Sequence, residues 1–370
     1  MEPVLTRATA AILREPEGRF VLETVELDEL RPDEILVRNE ASGICHTDLL
    51  ARHRVPLPAV LGHEGAGVVE AVGGAVTRVR VGDHVVISYP WCGVCSGCDG
   101  GAPYLCARHM QLAFSGARLD GSQSIKLDQR PISSAFFQQS SFATRCITLE
   151  RAVVPVIGNH SSALMAAIPC GVQTGAGAVL NSLRVSAGDS LAVFGVGAVG
   201  MSAIMAGRLV GAFPMIAVDI VPERLQLARE LGASHAIDAR AGEVPAQIKD
   251  IVRGGVEFTV ETSGNEQALN DAILSLGSGG SCGMVIAPHL GKKYPFSTTE
   301  IFTRAAHLVG IIQGSAVPRL FLTKLMELHR LGRFPFDRMI RYYDFDLINE
   351  AIADTHAGRT IKPVLRMPDA

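Results

Sequence analysis

The chain has 370 residues, 48% of them hydrophobic and 19% charged, with a formal net charge of -3. That length predicts two domains, and the charge balance leaves no basic excess to neutralise a phosphate backbone, so nucleic acid is excluded as an expected partner. Met1 to Arg14 holds Arg7 and Arg14 among short apolar runs, lacks the core of a secretory signal, and points to the cytoplasm.

From Val4 to about Val154 the chain is rich in Val, Gly and Pro, with short alternating runs such as Glu34 to Arg38 and Asp83 to Ile87. This predicts a strand-rich, turn-rich domain. Cys45 stands in Gly43-Ile44-Cys45-His46-Thr47-Asp48, His63 in Gly62-His63-Glu64-Gly65, and Cys170 in Pro169-Cys170-Gly171. Glycine or proline flanks each, as in loops. A catalytic zinc takes three protein ligands and leaves one position open, and Cys2His is one such set. On the residues alone, a buried inert Cys or a satisfied core His is the better account of any one of the three. Asp48 is either a surface charge or a carboxylate that orients a ligating imidazole.

Cys92, Cys95, Cys98 and Cys106 form C-x2-C-x2-C-x7-C, with Gly93, Gly97, Gly100 and Gly101 supplying tight turns. In a large chain of this kind, such clustering predicts a metal before disulfides. Four thiolates suit a closed structural zinc site, with iron–sulfur ligation as the chemical alternative.

After about Gly171 apolar strands alternate with helical stretches: Leu191 to Phe194 then Ala198 to Val210, Met215 to Val218 then Pro222 to Leu231, and later Val256 to Val260 and Cys282 to Ala287. This is an α/β pattern with a doubly wound parallel sheet. Leu191 to Val218 is long enough to cross a bilayer and has only Arg208 as a charge, but its glycines and Pro214 favour strand, turn and buried helix. No membrane partner is expected.

Gly195-Val196-Gly197-Ala198-Val199-Gly200 follows the first of these strands, and Asp219 closes the next apolar run. In that context the glycines serve the turn, the approach of pyrophosphate and helix packing, and Asp219 is placed to accept from the ribose 2′-hydroxyl. NAD is favoured over NADP. Arg224 is either a ribose or adenine neighbour or a solvated charge. Beyond Gly314, a helix carrying Leu320, Leu325 and Leu328 leads to Tyr342-Tyr343-Asp344-Phe345 and Ile361-Lys362-Pro363-Val364-Leu365, which is expected to return to the first domain.

Taken together these residues resemble the zinc-dependent medium-chain alcohol dehydrogenases over essentially the whole chain, through Gly62-His63-Glu64-Gly65-Ala66-Gly67-Val68-Val69 and the four-cysteine lobe. A narrower resemblance, to aryl-alcohol or benzyl-alcohol dehydrogenases, rests on Phe114-Ser115-Gly116, on Phe136 to Thr144 and on Cys170 to Gly177. Enzymes of allylic terpene alcohols such as geraniol are similar there too. The resemblance implies a GroES-like catalytic domain (1–171 and 315–370), interrupted by a Rossmann domain (172–314), with substrate bound between them.

It also implies two zinc ions, with Cys45, His63 and Cys170 holding the catalytic one and Glu64 able to approach it. The activity implied is reversible oxidation of a primary aromatic or allylic alcohol, with proton loss through Thr47 and hydride transfer to NAD. His46 and Lys362 stand where relatives reach the coenzyme pyrophosphate. Thr174 stands where the family contacts nicotinamide, and the resemblance adds Val196, Ala198, Val199 and Ile286 to the coenzyme set; on the residues alone Thr47 and Thr174 are equally well turn hydroxyls capping helices. Leu50 replaces a histidine that ends the proton relay in some members, which leaves His46, water or direct exit by way of the coenzyme ribose for that step. Tyr89, Trp91, Phe114 and Phe142 are either core or the wall of a planar substrate. A homodimer or homotetramer is implied. A catalytically silent NAD-binding regulatory protein on the same fold is the alternative from another class, and the presence of Cys45, His63 and Cys170 weighs against it.

Overall fold

The computed structural model describes residues 6–285 and 293–368. The chain forms two units, one from the described parts of 1–170, 317–327 and 337–370, the other from those of 171–316 and 328–336. The division departs from the expected one after the helix Pro318–Arg330, because the stretch 328–336 sides with the second unit. The buried face of this helix is Phe321, Leu322, Leu325 and Met326, whereas Leu320 is 74% exposed. Spacing alone had placed Leu320 on the apolar stripe, one residue out of phase.

In the first unit the strand Glu34–Gly43 is the hub. It pairs antiparallel with Gly65–Val72, with Arg145–Leu149 and with the C-terminal strand Lys362–Arg366, where Val364 lies opposite Gly43. Ile35 and Val37 face one core cluster with Val69, Val85 and Cys146. A second cluster joins Ile12, Val60, Leu61, Phe142 and Leu365. Burying a Leu or Phe fully contributes about 1.5–3 kcal/mol each, so the sheets fix rigidly the turns that leave their ends.

In the second unit every sheet pairing is parallel, in the spatial order His235–Asp238, Met215–Asp219, Leu191–Phe194, Val256–Glu261, Leu276–Met284, His307–Gly310. This is the doubly wound order, with its switch point between Leu191–Phe194 and Val256–Glu261, where ligands bind at the carboxyl ends of the strands. The fifth strand begins at Leu276, six residues before the sequence reading placed it, because Gly277, Gly279 and Gly280 dilute its apolar signal; Ala287 lies outside the described residues. The helix Ala198–Val210 is buried along most of its length. That burial accounts for the uncharged run, and no described helix is long and apolar enough to cross a membrane.

Candidate active site and metal centres

The hub strand Glu34–Gly43 delivers the chain to Cys45, which lies in extended backbone just before the short helix His46–Ala51. Asp48, in the first turn and fully buried, spends both oxygens there: Oδ2 accepts the Cys45 N–H at 2.8 Å, while Oδ1 accepts the Gly62 N–H at 3.2 Å and lies 2.8 Å from His63 Nδ1. With its Nδ1–H donated to a carboxylate, His63 presents Nε2, which sits 3.3 Å from Cys170 Sγ.

Cys170 belongs to the π-helical segment Ile168–Val172, and its sulfur is 3.8 Å from Cys45 Sγ. Two thiolates each about 2.3 Å from one tetrahedral zinc ion stand about 3.8 Å apart. Cys45, His63, Glu64 and Cys170 each offer a ligand atom, all within 4.8 Å of one another. Glu64 is wholly buried; its Oε2 accepts from Lys362 Nζ, and its Oε1 has no hydrogen-bond partner. A buried orphan oxygen beside two thiols and an imidazole is what a cation satisfies, so the donor set fits zinc.

The electrostatics agree. The hydrogen bond from Cys170, helped by His63 and Lys362, holds the Cys45 thiol well below its ordinary range in spite of burial, and the same contact together with burial holds Cys170 well above it. Burial pushes Glu64 up to about 7 against the pull of Lys362. Burial opposes charge on His63, yet Asp48 and Cys45 outweigh it and raise the imidazole well above its usual value. The cluster therefore favours positive charge at His63, which a metal cation at Nε2 would supply in place of a proton.

The second cluster is built differently. Cys92, Cys95, Cys98 and Cys106 also bring their sulfurs within 4.8 Å of one another, with Cys92 to Cys98 at 3.9 Å and Cys95 to Cys98 at 3.5 Å. The Cys92 N–H points at Cys106 Sγ and the Ala107 N–H at Cys95 Sγ, at 3.2 and 3.4 Å. Sulfurs this close fit one ion rather than a multi-iron cluster, and four of them around it would leave no place for substrate.

In the second unit Gly195 turns the chain at φ +81 after Leu191–Phe194, and a Cβ on Gly200 would overlap the Gly195 carbonyl oxygen. Gly197 caps the helix Ala198–Val210, and a Cβ there would meet nothing within 4 Å, so the first N–H groups and the positive end of the helix dipole are open to approach, as suits a phosphate. Asp219, buried at the end of Met215–Asp219, accepts the Val196 N–H at 2.7 Å through Oδ2 and the Ile220 and Val221 N–H groups through Oδ1.

Comparison with known proteins agrees with both halves of this architecture. The alcohol dehydrogenase GroES-like domain matches residues 31–155 and the zinc-binding dehydrogenase domain residues 198–328. Geraniol dehydrogenase of Castellaniella defragrans is 42% identical over 362 residues, 97% of either chain. The chain belongs to the zinc-dependent medium-chain alcohol dehydrogenases. Solved structures agree: an alcohol dehydrogenase zinc-binding domain protein from Burkholderia ambifaria is 46% identical with a TM-score of 0.96, and benzyl alcohol dehydrogenase from Acinetobacter calcoaceticus is 40% identical with a TM-score of 0.95. Each comparison covers 98% of this chain and 100% of the other.

Within this alcohol dehydrogenase, Thr47 Oγ1 lies 3.7 Å from Cys45 Sγ on a half-buried turn, with His46 exposed beside it and Leu50 half-buried one turn on. Thr174 is buried on the helix Gln173–Gly177 of the second unit. Arg224 is half-buried in the first turn of Pro222–Leu231, and Ile286 lies outside the described residues. Lys362, which resemblance assigned to the coenzyme pyrophosphate, is 2% exposed and commits its ammonium to Glu64 and, at 3.5 Å, to the Ile44 carbonyl.

The four aromatic candidates separate. Phe142 is a core residue, edge-on to Phe20 at 5.8 Å, and Tyr89 is also buried; Trp91 and Phe114 remain half-buried. Sequence reasoning assigned no role to Phe136 and Phe137, although the run containing them carried the resemblance. Phe137 lies over the His63 ring at 4.6 Å, Phe136 meets it edge-on at 5.5 Å, and Phe114 packs on both.

Proposed function

We propose that this enzyme oxidises primary aromatic or allylic alcohols to aldehydes reversibly with NAD, and holds two zinc ions, one at Cys45, His63 and Cys170 and one at Cys92, Cys95, Cys98 and Cys106. The observation that supports the substrate class is the half-buried ring of Phe114, which packs on Phe136 and Phe137, themselves buried against the metal ligand His63, and so leaves an aromatic surface beside that ligand. A flat, conjugated alcohol gains offset stacking against such a surface that an aliphatic one does not. The relatives named for geraniol and benzyl alcohol support the same class.

When bound, zinc supplies Lewis acidity at the alcohol oxygen and NAD supplies the hydride acceptor. Asp48 keeps His63 in the ligating tautomer, and Lys362 balances the charge of buried Glu64. The Thr47 hydroxyl, beside Cys45, receives the alcohol proton and passes it to solvent; Leu50 offers no onward acceptor, so the exit runs by water or by exposed His46. Asp219 carries negative charge beside the glycine loop, which disfavours a 2′-phosphate and favours NAD.

Initial rates of NAD and NADP reduction with benzyl, cinnamyl and geranyl alcohol against ethanol test the proposal, with zinc content measured on the same sample. We expect kcat/KM for the conjugated alcohols to exceed that for ethanol by at least about tenfold, the effect of roughly 1.4 kcal/mol of stacking. The highest kcat/KM with ethanol would overturn the substrate class, NADP preference the coenzyme, and about one zinc per chain the two-site assignment.

A further inference from the structure

The run Phe136 to Phe142 lies along residues 60–65, bond by bond. Ser140 Oγ donates to the Val60 carbonyl at 2.6 Å, and the Phe142 and Ser141 N–H groups donate to the Leu61 and Gly62 carbonyls, each at 2.9 Å. At the metal ligand itself a side chain takes over. Gln139 Nε2 donates to the His63 carbonyl at 3.0 Å and its Oε1 accepts the Gly65 N–H at 3.1 Å, so one amide brackets Glu64 and its two neighbours as a paired strand would.

The same Nε2 reaches the Ser88 carbonyl at 3.4 Å, and Ser88 Oγ donates to the carbonyl of Pro169, the residue before Cys170, at 3.3 Å. Gln139 is 1% exposed. The run that presents it is not a relaxed loop: Phe137, Gln138 and Ser140 have φ of 50, 54 and 49 degrees, left-handed values that side chains rarely adopt unless tertiary contacts hold them. Adjacent Gln138 is also buried, and its Nε2 donates to the carbonyls of Leu112, Ala117 and Ala135, none of them on the metal segment.

We infer that Gln139 is a positioning residue for the catalytic metal: its carboxamide fixes the backbone of His63–Gly65 and, through Ser88, the backbone before Cys170, setting the distance between two of the ligands. The inference rests on the reading of Cys45, His63 and Cys170 as ligands. A buried amide with all its polar atoms engaged is costly to replace, and outer partners of metal ligands tune affinity by about 10- to 100-fold.

The test uses the full-length enzyme with cobalt(II) in place of zinc, following cobalt transfer to EDTA by the loss of its visible bands, with Cys45→Ala marking the phase that belongs to the lobe. Gln139→Leu is expected to release the catalytic cobalt about 10- to 100-fold faster and to shift its ligand-field bands, with the lobe phase unchanged. Ser88→Ala, which keeps the carbonyl and loses the hydroxyl, should show a smaller acceleration. Gln138→Leu loses three comparable bonds and should leave the catalytic phase as in the parent. An unchanged rate and spectrum in Gln139→Leu, or equal acceleration by Gln138→Leu, overturns the inference while leaving the ligands in place. If Gln139→Leu does not fold, Gln139→Glu, which retains an acceptor for Gly65 and loses the donors, decides by the same criterion. A parent that binds cobalt only in the lobe overturns the ligand reading, and the inference with it.

Discussion

The two metal centres share cysteine chemistry and differ in what holds the donors. In the lobe, four ligands fall between Cys92 and Cys106, and main-chain N–H groups support the sulfurs, so a local run of turns nearly suffices. At Cys45, His63 and Cys170 the donors are up to 125 positions apart, and side chains of three separate segments hold them: Asp48 of the helix His46–Ala51, Gln139 of a turn and Lys362 of the strand Lys362–Arg366. A site supported by its own turns can only close around an ion and add folding energy. One supported from outside can keep a position open, because its geometry survives without a fourth protein ligand.

The largest effects should separate these roles cleanly. Cys45→Ala is expected to lower kcat/KM at least about 1,000-fold, since metal activation of the alcohol is worth several kcal/mol, while the circular dichroism spectrum is retained. Cys95→Ala should instead lose the zinc of the lobe and lower the thermal midpoint first, with activity falling as the fold loosens. Equal loss of thermal stability in both variants would remove the distinction.

The same contrast explains what was legible in the sequence. The lobe could be read from spacing because its geometry is local. The second unit could be read from alternating strands and helices, and the glycine loop from its position after a strand; the Gly195 turn and the tight approach at Gly200 give that motif its physical reason. Cys45, His63 and Cys170 were visible only as candidates, since no periodicity shows that they meet. The ion pair of Lys362 with Glu64 spans 298 positions and the bond of Gln139 to His63 spans 76, and both depend on how distant segments lie against one another rather than on any local signal. Phe142 and Phe137 look alike in the sequence; one fills the core against Phe20 and the other covers a metal ligand.

Removing Lys362 probes how far the catalytic centre depends on outside support. Lys362→Met leaves Glu64 buried without its cation, a change that costs about 3 kcal/mol in comparable buried pairs. Burial already raises Glu64 to about 7 with Lys362 present. A carboxyl whose folded pKa exceeds its unfolded value takes up a proton on folding, so it destabilises the native state increasingly as pH rises from the unfolded value towards 7, and loss of Lys362 extends that decline to higher pH. Urea denaturation should therefore show a deficit in Lys362→Met that grows as pH rises above about 7. The double variant with Glu64→Gln should recover most of it, and a deficit independent of pH would exclude the charge pairing as its source.

The smallest expected effect is the most specific. Each Asp48 oxygen accepts, Oδ2 from Cys45 N–H and Oδ1 from Gly62 N–H and His63 Nδ1–H, whereas an asparagine has one accepting oxygen and one donating nitrogen. In Asp48→Asn the amide must therefore aim its NH2 at one of these donors. Directed at His63, it demands a bare Nδ1 and sends the imidazole proton to Nε2, the atom the metal requires. Directed at Cys45, it breaks the bond that closes the first helical turn and moves the thiolate instead. Either way the catalytic metal is held about 10- to 100-fold more weakly, while the lobe, which Asp48 does not touch, keeps its zinc. Competition with a chelator at a fixed pH measures the loss. Parent-like metal retention would show that the carboxylate orients nothing.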